Sequence, residues 1–409
     1  MIYLLLTLGV AATVYQALAL AGALRRLAAR EPEPRRLPPV SILKPVCGLD
    51  PEFYENVRSH ALQNYPQYEL VFGVSDPADP AVAEIERLQA EYPAVAIRLV
   101  HSTTQASNGK VGVLADLAAA ARHSLLLVND SDIRVPPDYL ARVVAPLEDE
   151  RTGVVTCLYR GRPASLAGRF EAVGIATDFM PSVLAAPLVG VSEFALGSTL
   201  VFRRADLERI GGFGAIADYI ADDYQLSRRI TALGRRVAVS SCVVETWLPE
   251  TTWAGVWRHQ LRWARTIRLS RGGGYAGLPL ANATLWAVLL AAAGLWWAAL
   301  ALFALRLAAG LTTAAGVLHD RAALRDAWMI PLRDLAGLAL WAGGLFGSEV
   351  LWRGLRLKLD REGRIVGVKD SLRTEDYFRE RAARGSVAKA KRALKRAGKG
   401  NPPQPGDEI

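Results

Sequence analysis

The stretch Ser124-Leu-Leu-Leu-Val-Asn-Asp-Ser-Asp132 joins a short apolar run directly to a pair of carboxylates. Three similar apolar runs precede it, and stretches with helical periodicity separate the runs. The apolar runs cover 39–43, 68–75, 96–100 and 124–129, and the helical stretches cover 52–63, 80–92 and 110–121. Strands that alternate with helices at this spacing predict parallel strands joined by helical crossovers. The sequence therefore predicts an α/β domain.

Carboxylates follow two of these predicted strands. Asp76 ends the second run, and Asp130 and Asp132 follow the fourth. In parallel α/β sheets, ligands bind at the carboxyl ends of the strands. Two carboxylates at this spacing suit a hard divalent cation such as Mg²⁺ or Mn²⁺, which usually also holds substrate phosphates. A side-chain turn or a helix cap before Pro136 accounts for the same residues without any function.

A second acidic pair, Asp222-Asp223, opens a helical pattern that extends over 219–230. A carboxylate of this kind can act as a general base that takes a proton from an attacking hydroxyl. The helix dipole also favours acids in the first turn of a helix. Both interpretations fit the sequence.

The segment His259-Gln-Leu-Arg262-Trp263 precedes a long apolar region. The guanidinium of Arg262 suits a diphosphate, and the ring of Trp263 can pack under a sugar or a nucleotide. An amphipathic helix on a membrane surface would also contain tryptophan and arginine. His259 has no partner at the spacing of a metal site, so we do not expect it to be a metal ligand.

The N-terminal segment predicts a membrane anchor over 1–30. Ile2 to Leu24 has no charged residue and is long enough to cross the roughly 30 Å hydrocarbon core as a helix. Arg25, Arg26 and Arg30 follow it directly, whereas a signal peptide would place its positive charges first. The positive-inside rule then places the chain from Arg25 onward in the cytoplasm.

A second apolar region predicts a C-terminal membrane region over 272–352. Its first part, 272–318, has Arg306 as its one charged residue, and a further apolar segment covers 335–350. An arginine in the middle of a span costs about 2.5–3.5 kcal/mol or more, which disfavours a helical hairpin here. Charge bias favours two hydrophobic helices, and apolar length favours three. The predicted cytoplasmic domain between the two membrane regions covers 37–271.

The net charge of +9 comes from 49 basic and 40 acidic residues, and much of the excess lies near the C-terminus. Arg384 to Lys399 has seven basic residues and no acidic one. The sequence predicts a basic, partly disordered cytoplasmic tail over 353–409. Three widely separated cysteines exclude a disulfide scaffold. Neither a G-x-x-x-x-G-K-[ST] loop nor a G-x-G-x-x-G fingerprint occurs.

Taken in order, these segments resemble the motif series of membrane glycosyltransferases with a GT-A fold. They are most similar to the ceramide glucosyltransferase-like family, and within it to the bacterial hopanoid-biosynthesis glycosyltransferases. The resemblance covers about 39–271 and the flanking apolar segments. It rests on Asp76, on Asp130-Ser-Asp132, on Asp222-Asp223 and on His259-x-x-Arg262-Trp263.

The resemblance implies a role for each matching residue. Asp76 is expected near the uracil or ribose of a UDP-sugar, and Lys110 matches a lysine that family members carry in the donor site. Asp130 is expected to bind the donor and, with Asp132, a divalent cation, either Mg²⁺ or Mn²⁺. Asp223 matches the catalytic base, while Arg262 and Trp263 match a motif near the diphosphate and the acceptor. The roles of Asp222 and His259 stay open, since the family usually has Gln or Arg at position 259.

The implied activity is inverting, metal-dependent transfer of a sugar from a UDP-sugar to a lipid hydroxyl at the bacterial inner membrane. Asp132 and the stretch over 262–268 favour UDP-GlcNAc and a hopanoid polyol such as bacteriohopanetetrol. A ceramide glucosyltransferase that uses UDP-glucose is the alternative. A polysaccharide synthase and a non-catalytic, membrane-anchored binding module are more remote. The expected partners are the donor, a lipid acceptor and the bilayer, and we expect no nucleic acid.

Overall fold

A computed structural model describes residues 2–30, 33–50, 52–248 and 252–370. Its centre is one mixed sheet of eight strands. These strands are β1 (Val40–Pro45), β2 (Tyr68–Val74), β3 (Ala96–His101), β4 (Leu125–Val128), β5 (Ile133–Arg134), β6 (Thr152–Arg162), β7 (Leu200–Arg203) and β8 (Arg236–Trp247). The four strands that the sequence predicts are β1 to β4, and all four are present.

The α-helices of the described residues cover the sheet and form a separate helical layer. They are α1 (Ile2–Ala28), α2 (Phe53–Ala61), α3 (Ala81–Glu91), α4 (Gly109–Ala120), α5 (Tyr139–Val144), α6 (Leu166–Gly174), α7 (Met180–Ala185), α8 (Arg204–Arg209), α9 (Asp222–Thr231), α10 (Trp253–Ala276), α11 (Ala283–Ala292), α12 (Trp296–Leu311), α13 (Ala322–Arg325) and α14 (Ile330–Gly344).

The strand order is β3-β2-β1-β4-β7-β6-β8-β5. The four strands β3, β2, β1 and β4 are parallel to one another, and β6 is parallel to β8. Strand β7 runs antiparallel to β4 and β6, and β5 runs antiparallel to β8. The sheet is therefore parallel in its N-terminal half and mixed beyond it.

Both faces of β1, β2 and β4 are buried, which explains their continuous apolar runs. Successive side chains of a strand point to opposite faces. Accordingly, Ile42 and Phe72 pack in one core cluster, while Leu43 and Val71 pack in the other.

Within the part of the chain that the structure describes, three helical segments are long and apolar enough to cross a membrane: Ile2–Ala28, Leu166–Val189 and Trp296–Val317. The first is α1, the second includes α6 and α7, and the third includes α12. The second lies inside the range 37–271 that the sequence assigns to the cytoplasmic domain. Its charged residues, among them Glu171 and Asp178, interrupt the apolar run. A membrane helix was therefore not predicted here, because the sequence was searched for segments without charged residues. This helical segment packs against α1, where a Cβ on Gly22 would lie 2.5 Å from the carbonyl oxygen of Leu184.

The C-terminal apolar region contains the helical hairpin that Arg306 was expected to disfavour. Helices α11 and α12 meet at Gly294, whose φ of 80° suits glycine at a tight turn. Arg306 is buried, and its Nη2 atom lies 2.7 Å from Oδ1 of Asp334 on α14. Its Nη1 atom donates to the carbonyl oxygen of Thr177. The expected cost of an isolated charge does not arise, because the arginine is paired with another helix.

A second, three-stranded sheet covers the end of the predicted membrane region, 272–352, and the start of the predicted tail, 353–409. Its antiparallel strands are β9 (Glu349–Trp352), β10 (Leu355–Leu359) and β11 (Ile365–Asp370). Leu357 and Leu359 alternate with exposed residues and pack with Val350, Ile365 and Ile220. The chain is thus folded from residue 353 to residue 370, where the sequence predicts the beginning of a tail. The remainder of that tail, 371–409, lies outside the described residues.

Candidate active site

The carboxyl ends of β1, β2 and β4 meet at one edge of the main sheet. Leu43 of β1 is level with Val71 of β2 and with Val128 of β4. Asp130 follows Val128 by two residues, so it lies beside the end of β1. There the buried Lys44 donates from Nζ to the carbonyl oxygen of Asp130, at 3.1 Å. Burial lowers the pKa of Lys44 to about 7, although Asp130 and Asp132 partly oppose this.

Lys110 joins the two acidic motifs. Its Nζ atom lies 2.9 Å from Oδ1 of Asp130 and 3.1 Å from Oδ2 of Asp222. Desolvation alone would lower the pKa of Lys110, but the two carboxylates outweigh it, and the net effect is a raised pKa. Desolvation would likewise raise the pKa of Asp130, but the ammonium of Lys110 holds it below its ordinary value.

Asn108 positions Lys110 by capping α4. Its side chain accepts from the backbone N–H of Val111, which satisfies a free donor of the first helical turn. Its Nδ2 atom donates to the carbonyl oxygen of Tyr219, at 2.7 Å. The start of α4 is thereby fixed to the loop that leads into α9.

Asp223 lies at the start of α9 and faces Gly197. Its Oδ2 atom accepts from the N–H of Gly197 at 3.0 Å, and its Oδ1 atom accepts from the N–H of Tyr224 at 2.7 Å. Burial raises the pKa of Asp223 to about 6, the neighbouring Asp222 adds to this, and Lys110 opposes it. A carboxyl group with this pKa is mostly ionised at neutral pH and is a stronger base than an ordinary aspartate.

Gly197 leaves a gap between the two acidic motifs. A Cβ at this position would lie 3.2 Å from Oδ2 of Asp223 and 3.8 Å from Oδ2 of Asp130. Both carboxylates therefore flank one residue that has no side chain.

We expect Gly197→Ala to lower kcat/KM by about 10-fold, because a Cβ 3.2 Å from Oδ2 of Asp223 crowds that oxygen and disturbs the alignment of a reacting group. Gly197 is half-exposed in the cleft, so the melting temperature should change little. Gly214→Ala is the matched control, since a Cβ there has no atom within 4 Å. Equal activity of the two variants would show that the gap has no role.

Asp132 lies in a concentration of negative charge. Burial raises its pKa to about 7, and Asp130 and Asp50 raise it further, although Thr246 donates to its Oδ2 atom at 2.9 Å. A concentration of carboxylates of this kind fits a divalent cation. No group of three or more Asp, Glu, His or Cys side chains within the described ranges forms a closed metal cage. Asp130 and Asp132 would thus supply a two-carboxylate site, the type that Mg²⁺ shares with substrate phosphates.

Asp76 lies at the same edge of the sheet but apart from the other acids. Its side chain is exposed and accepts from the N–H of Ala78 at 2.9 Å. Among the residues that the structure describes, no hydrogen bond or ion pair joins it to the other predicted site residues. The nearby Asp79 accepts from Gly48 at 2.7 Å and so connects the loops after β1 and β2.

The predicted segment His259-x-x-Arg262-Trp263 lies on α10. Nδ1 of His259 lies 2.6 Å from Oε1 of Glu171, a buried residue of α6. The ring centroid of Trp263 lies 5.0 Å from that of His259 and 5.8 Å from that of Phe179. Arg262 is half-buried on the same helix. The segment is thus packed against α6 and is more than a surface helix.

A hydrogen-bonded chain continues from α10 to α14. Gln260 donates to Oε1 of Glu171 at 2.8 Å, and Arg333 donates to Oε1 of Gln260 at 2.7 Å. A Cβ on Gly174 would lie 2.0 Å from Nε of Arg333, so α6 needs a glycine there. Helix α10 is therefore hydrogen-bonded to both α6 and α14.

Several residues of the site were missed in the sequence. They are Lys44, Tyr159, Glu171, Gly197 and Arg353. Burial raises the pKa of Tyr159, and the charges of Asp223 and Glu171 raise it further. A lysine in a buried strand and a glutamate in an apolar helix were usable signals, because ionised groups are rarely buried without a partner. The sequence offers no comparable signal for Gly197 or Arg353.

Comparison with known proteins agrees with this architecture. The chain is 27% identical over 214 residues to ceramide glucosyltransferase 1 of Caenorhabditis elegans, which covers 52% of this chain and 46% of the relative. It is 34% identical over 121 residues to ceramide glucosyltransferase of Candida albicans, which covers 26% of this chain and 22% of the relative. The chain spans about half the length, or less, of the curated relatives it matches.

The structure resembles the mannosyltransferase PcManGT from Pyrobaculum calidifontis, solved in complex with GDP-Man and Mn²⁺. The TM-score is 0.52 at 23% identity, and the match covers 83% of this chain and 96% of the other. This likeness confirms the predicted α/β GT-A fold. The model of glycosyl transferase family 21 matches residues 4–365. The proposed closeness to the hopanoid branch stays a prediction, but the chain belongs to glycosyl transferase family 21.

Proposed function

We propose that the protein transfers a sugar from a UDP-sugar to the hydroxyl of a membrane lipid, with inversion at the anomeric carbon. The observation that supports this most is the gap at Gly197, which Asp223 and Asp130 flank at 3.2 and 3.8 Å from a Cβ position. A proton acceptor and a donor-side carboxylate thus share one cleft, at the edge of the sheet where α/β proteins bind ligands.

On the donor side, Asp130 and Asp132 would hold a Mg²⁺ or Mn²⁺ ion, whose charge offsets the negative charge that develops on the UDP leaving group. Lys110 keeps Asp130 ionised through their 2.9 Å contact. Arg262 would assist the leaving diphosphate from α10. Asp76 would contact the uridine at the outer end of the same edge.

On the acceptor side, Asp223 would take the proton of the lipid hydroxyl. The oxygen then forms a bond to the anomeric carbon while the bond from that carbon to UDP breaks. Hydrogen bonds from Gly197 and Tyr224 fix the carboxylate in place. Direct displacement of this kind inverts the anomeric configuration. Trp263, held by His259 and Phe179, would pack against the acceptor.

Location at a membrane fits a lipid acceptor. The helices long and apolar enough to span a bilayer include α1, whose last turn contains Arg25 and Arg26. Trp253, Trp257 and Trp328 have exposed side chains, and tryptophan is typical of the membrane interface. We propose a multi-pass protein of the bacterial inner membrane whose main sheet lies in the cytoplasm, where α10 would hold the site near the lipid headgroups.

Two donor and acceptor pairs fit the site. Asp132 and the stretch over 262–268 favour UDP-GlcNAc with a hopanoid polyol such as bacteriohopanetetrol. The names of the curated relatives favour UDP-glucose with ceramide. Both pairs use the same base and the same carboxylates.

The test uses purified protein in detergent with Mg²⁺ or Mn²⁺. UDP-glucose and UDP-GlcNAc are each offered with ceramide and with bacteriohopanetetrol, and glycolipid is measured by mass spectrometry. Product from one pair identifies donor and acceptor. Binding of UDP-sugar without product would contradict both acceptors. Absence of UDP-sugar binding would contradict the glycosyltransferase proposal and favour a membrane-anchored binding module.

A further inference from the structure

The turn between β9 and β10 has an unusual residue. Trp352 pairs with Leu355, so Arg353 and Gly354 form a two-residue hairpin loop. Their φ angles are 47° and 83°, both in the left-handed region. Asn-Gly or Gly-Gly is typical of such turns, whereas a long side chain is strained there. Residues held in strained conformations are concentrated at functional sites.

The side chain of Arg353 reaches the edge of the main sheet where the acidic motifs lie. Its Nη1 atom donates to the carbonyl oxygen of Cys47, and its Nη2 atom lies 3.8 Å from Oδ2 of Asp50. Asp50 in turn accepts a hydrogen bond from Ser131, the residue between Asp130 and Asp132. The hairpin turn therefore contacts the loop that packs directly on the Asp130-Ser-Asp132 segment.

The three-stranded sheet is also attached to the acidic motif on α9. The N–H of Ile220 donates to the carbonyl oxygen of Gly363 at 3.2 Å, and the N–H of Ile365 donates to that of Asp218 at 2.7 Å. These bonds fix the loop that leads into Asp222-Asp223. The small sheet is thus hydrogen-bonded to the loop that positions this acidic motif.

Contacts with α10 attach the small sheet to the third motif segment. Arg265 donates from Nη1 to the carbonyl oxygen of Glu349 at 2.6 Å, and Arg268 donates to that of Gly347. Arg265 lies two residues after Trp263 on the same helix. The small sheet is therefore held in place by α10 and by the loop that leads into α9.

Carboxylates outnumber lysines at this edge of the sheet, where Lys44 and Lys110 lie. Its carboxylates belong to Asp50, Asp130, Asp132, Asp222 and Asp223. Lys110 is already engaged by two of them. A nucleotide diphosphate brings further negative charge into this cleft. A guanidinium suits that ligand because its planar fork matches two phosphate oxygens.

We propose that the β9–β10 hairpin is part of the donor site and that Arg353 binds the diphosphate of the nucleotide. This inference rests on the proposed function, since it assumes a nucleotide diphosphate donor. It assigns a binding role to a segment beyond the membrane region, where the sequence predicted only a tail.

The test compares Arg353→Asn with Arg353→Lys in the full-length protein. Asparagine is well tolerated in a left-handed turn, so the hairpin should persist and the melting temperature should be maintained. We expect Arg353→Asn to weaken UDP binding about 10- to 100-fold, because a charge-assisted bond is lost. Arg353→Lys should retain part of the affinity. Binding of UDP and of uridine is measured by calorimetry with Mg²⁺ present.

Uridine separates a phosphate contact from a structural one. Arg353→Asn should leave uridine binding unchanged, while KM for the donor rises more than kcat falls. Arg356→Asn is the control, because Arg356 lies on an exposed part of the same sheet and pairs with Glu349. Wild-type affinity for UDP in Arg353→Asn, or equal losses for UDP and uridine, would overturn the inference. Failure of the wild-type protein to bind UDP would instead contradict the proposed function.

Discussion

Asp223→Asn is expected to lower kcat by about 10²- to 10⁴-fold, the usual contribution of a general base, while UDP-sugar binding persists. An amide cannot take the proton of the acceptor hydroxyl. The substitution retains the size of the side chain, and one amide oxygen can still accept from Gly197 or Tyr224. The measurement is steady-state transfer to the lipid acceptor, combined with calorimetry for the donor.

Asp222→Asn is the matched variant, because it makes the same change at the adjacent residue. Oδ2 of Asp222 lies 3.1 Å from Nζ of Lys110, and Asp222 has no role in the proposed proton transfer. We expect this variant to affect KM for the donor more than kcat, because it alters the lysine that contacts Asp130. Normal turnover by Asp223→Asn, or an equal fall in kcat for both variants, would show that Asp223 is not the base.

The sequence predicted which acidic residues would lie at one edge of the sheet, because they follow strands and because parallel strands end at one edge. Asp76, Asp130 and Asp132 were placed at this edge from the apolar runs alone, and the structure has those strands. The contact of Lys110 with Asp130 and Asp222 could not be derived in this way. It depends on how α4 and α9 pack together, which local patterns do not report.

The residues that escaped prediction are those whose environment is made by distant segments. Arg353 follows a predicted membrane region and looks like any interfacial arginine, yet it contacts Cys47. The helix over 166–189 was missed because its charges suggested a soluble segment. Glu171 is instead buried against His259 and Gln260. In both cases the decisive fact is a partner more than eighty residues away.

Arg306 also has a distant partner that the sequence did not reveal, and we expect loss of that partner to destabilise the protein strongly. Its Nε and Nη2 atoms bind the two carboxylate oxygens of Asp334 at 3.1 and 2.7 Å, and both side chains are 3% exposed. Thr284 also donates to this carboxylate, at 2.6 Å. Asp334→Ala is expected to destabilise the protein by about 3–5 kcal/mol, because it leaves a buried guanidinium without its counter-ion. The measurement is thermal unfolding in detergent.

The double variant Arg306→Met with Asp334→Leu distinguishes a lost charge pair from a lost packing contact. It removes both charges and retains apolar volume, and replacing a buried ion pair in this way is often neutral or stabilising. We therefore expect it to melt well above Asp334→Ala, although Thr284 loses an acceptor in both variants. The cycle is completed by the single variants Arg306→Met and Asp334→Leu, and losses that add up to that of the double variant would mean that the pair has no coupling energy. A strong coupling would instead show that one ion pair holds α12 and α14 together. A charged residue in an apolar run would then not argue against a membrane helix when a second helix supplies its partner.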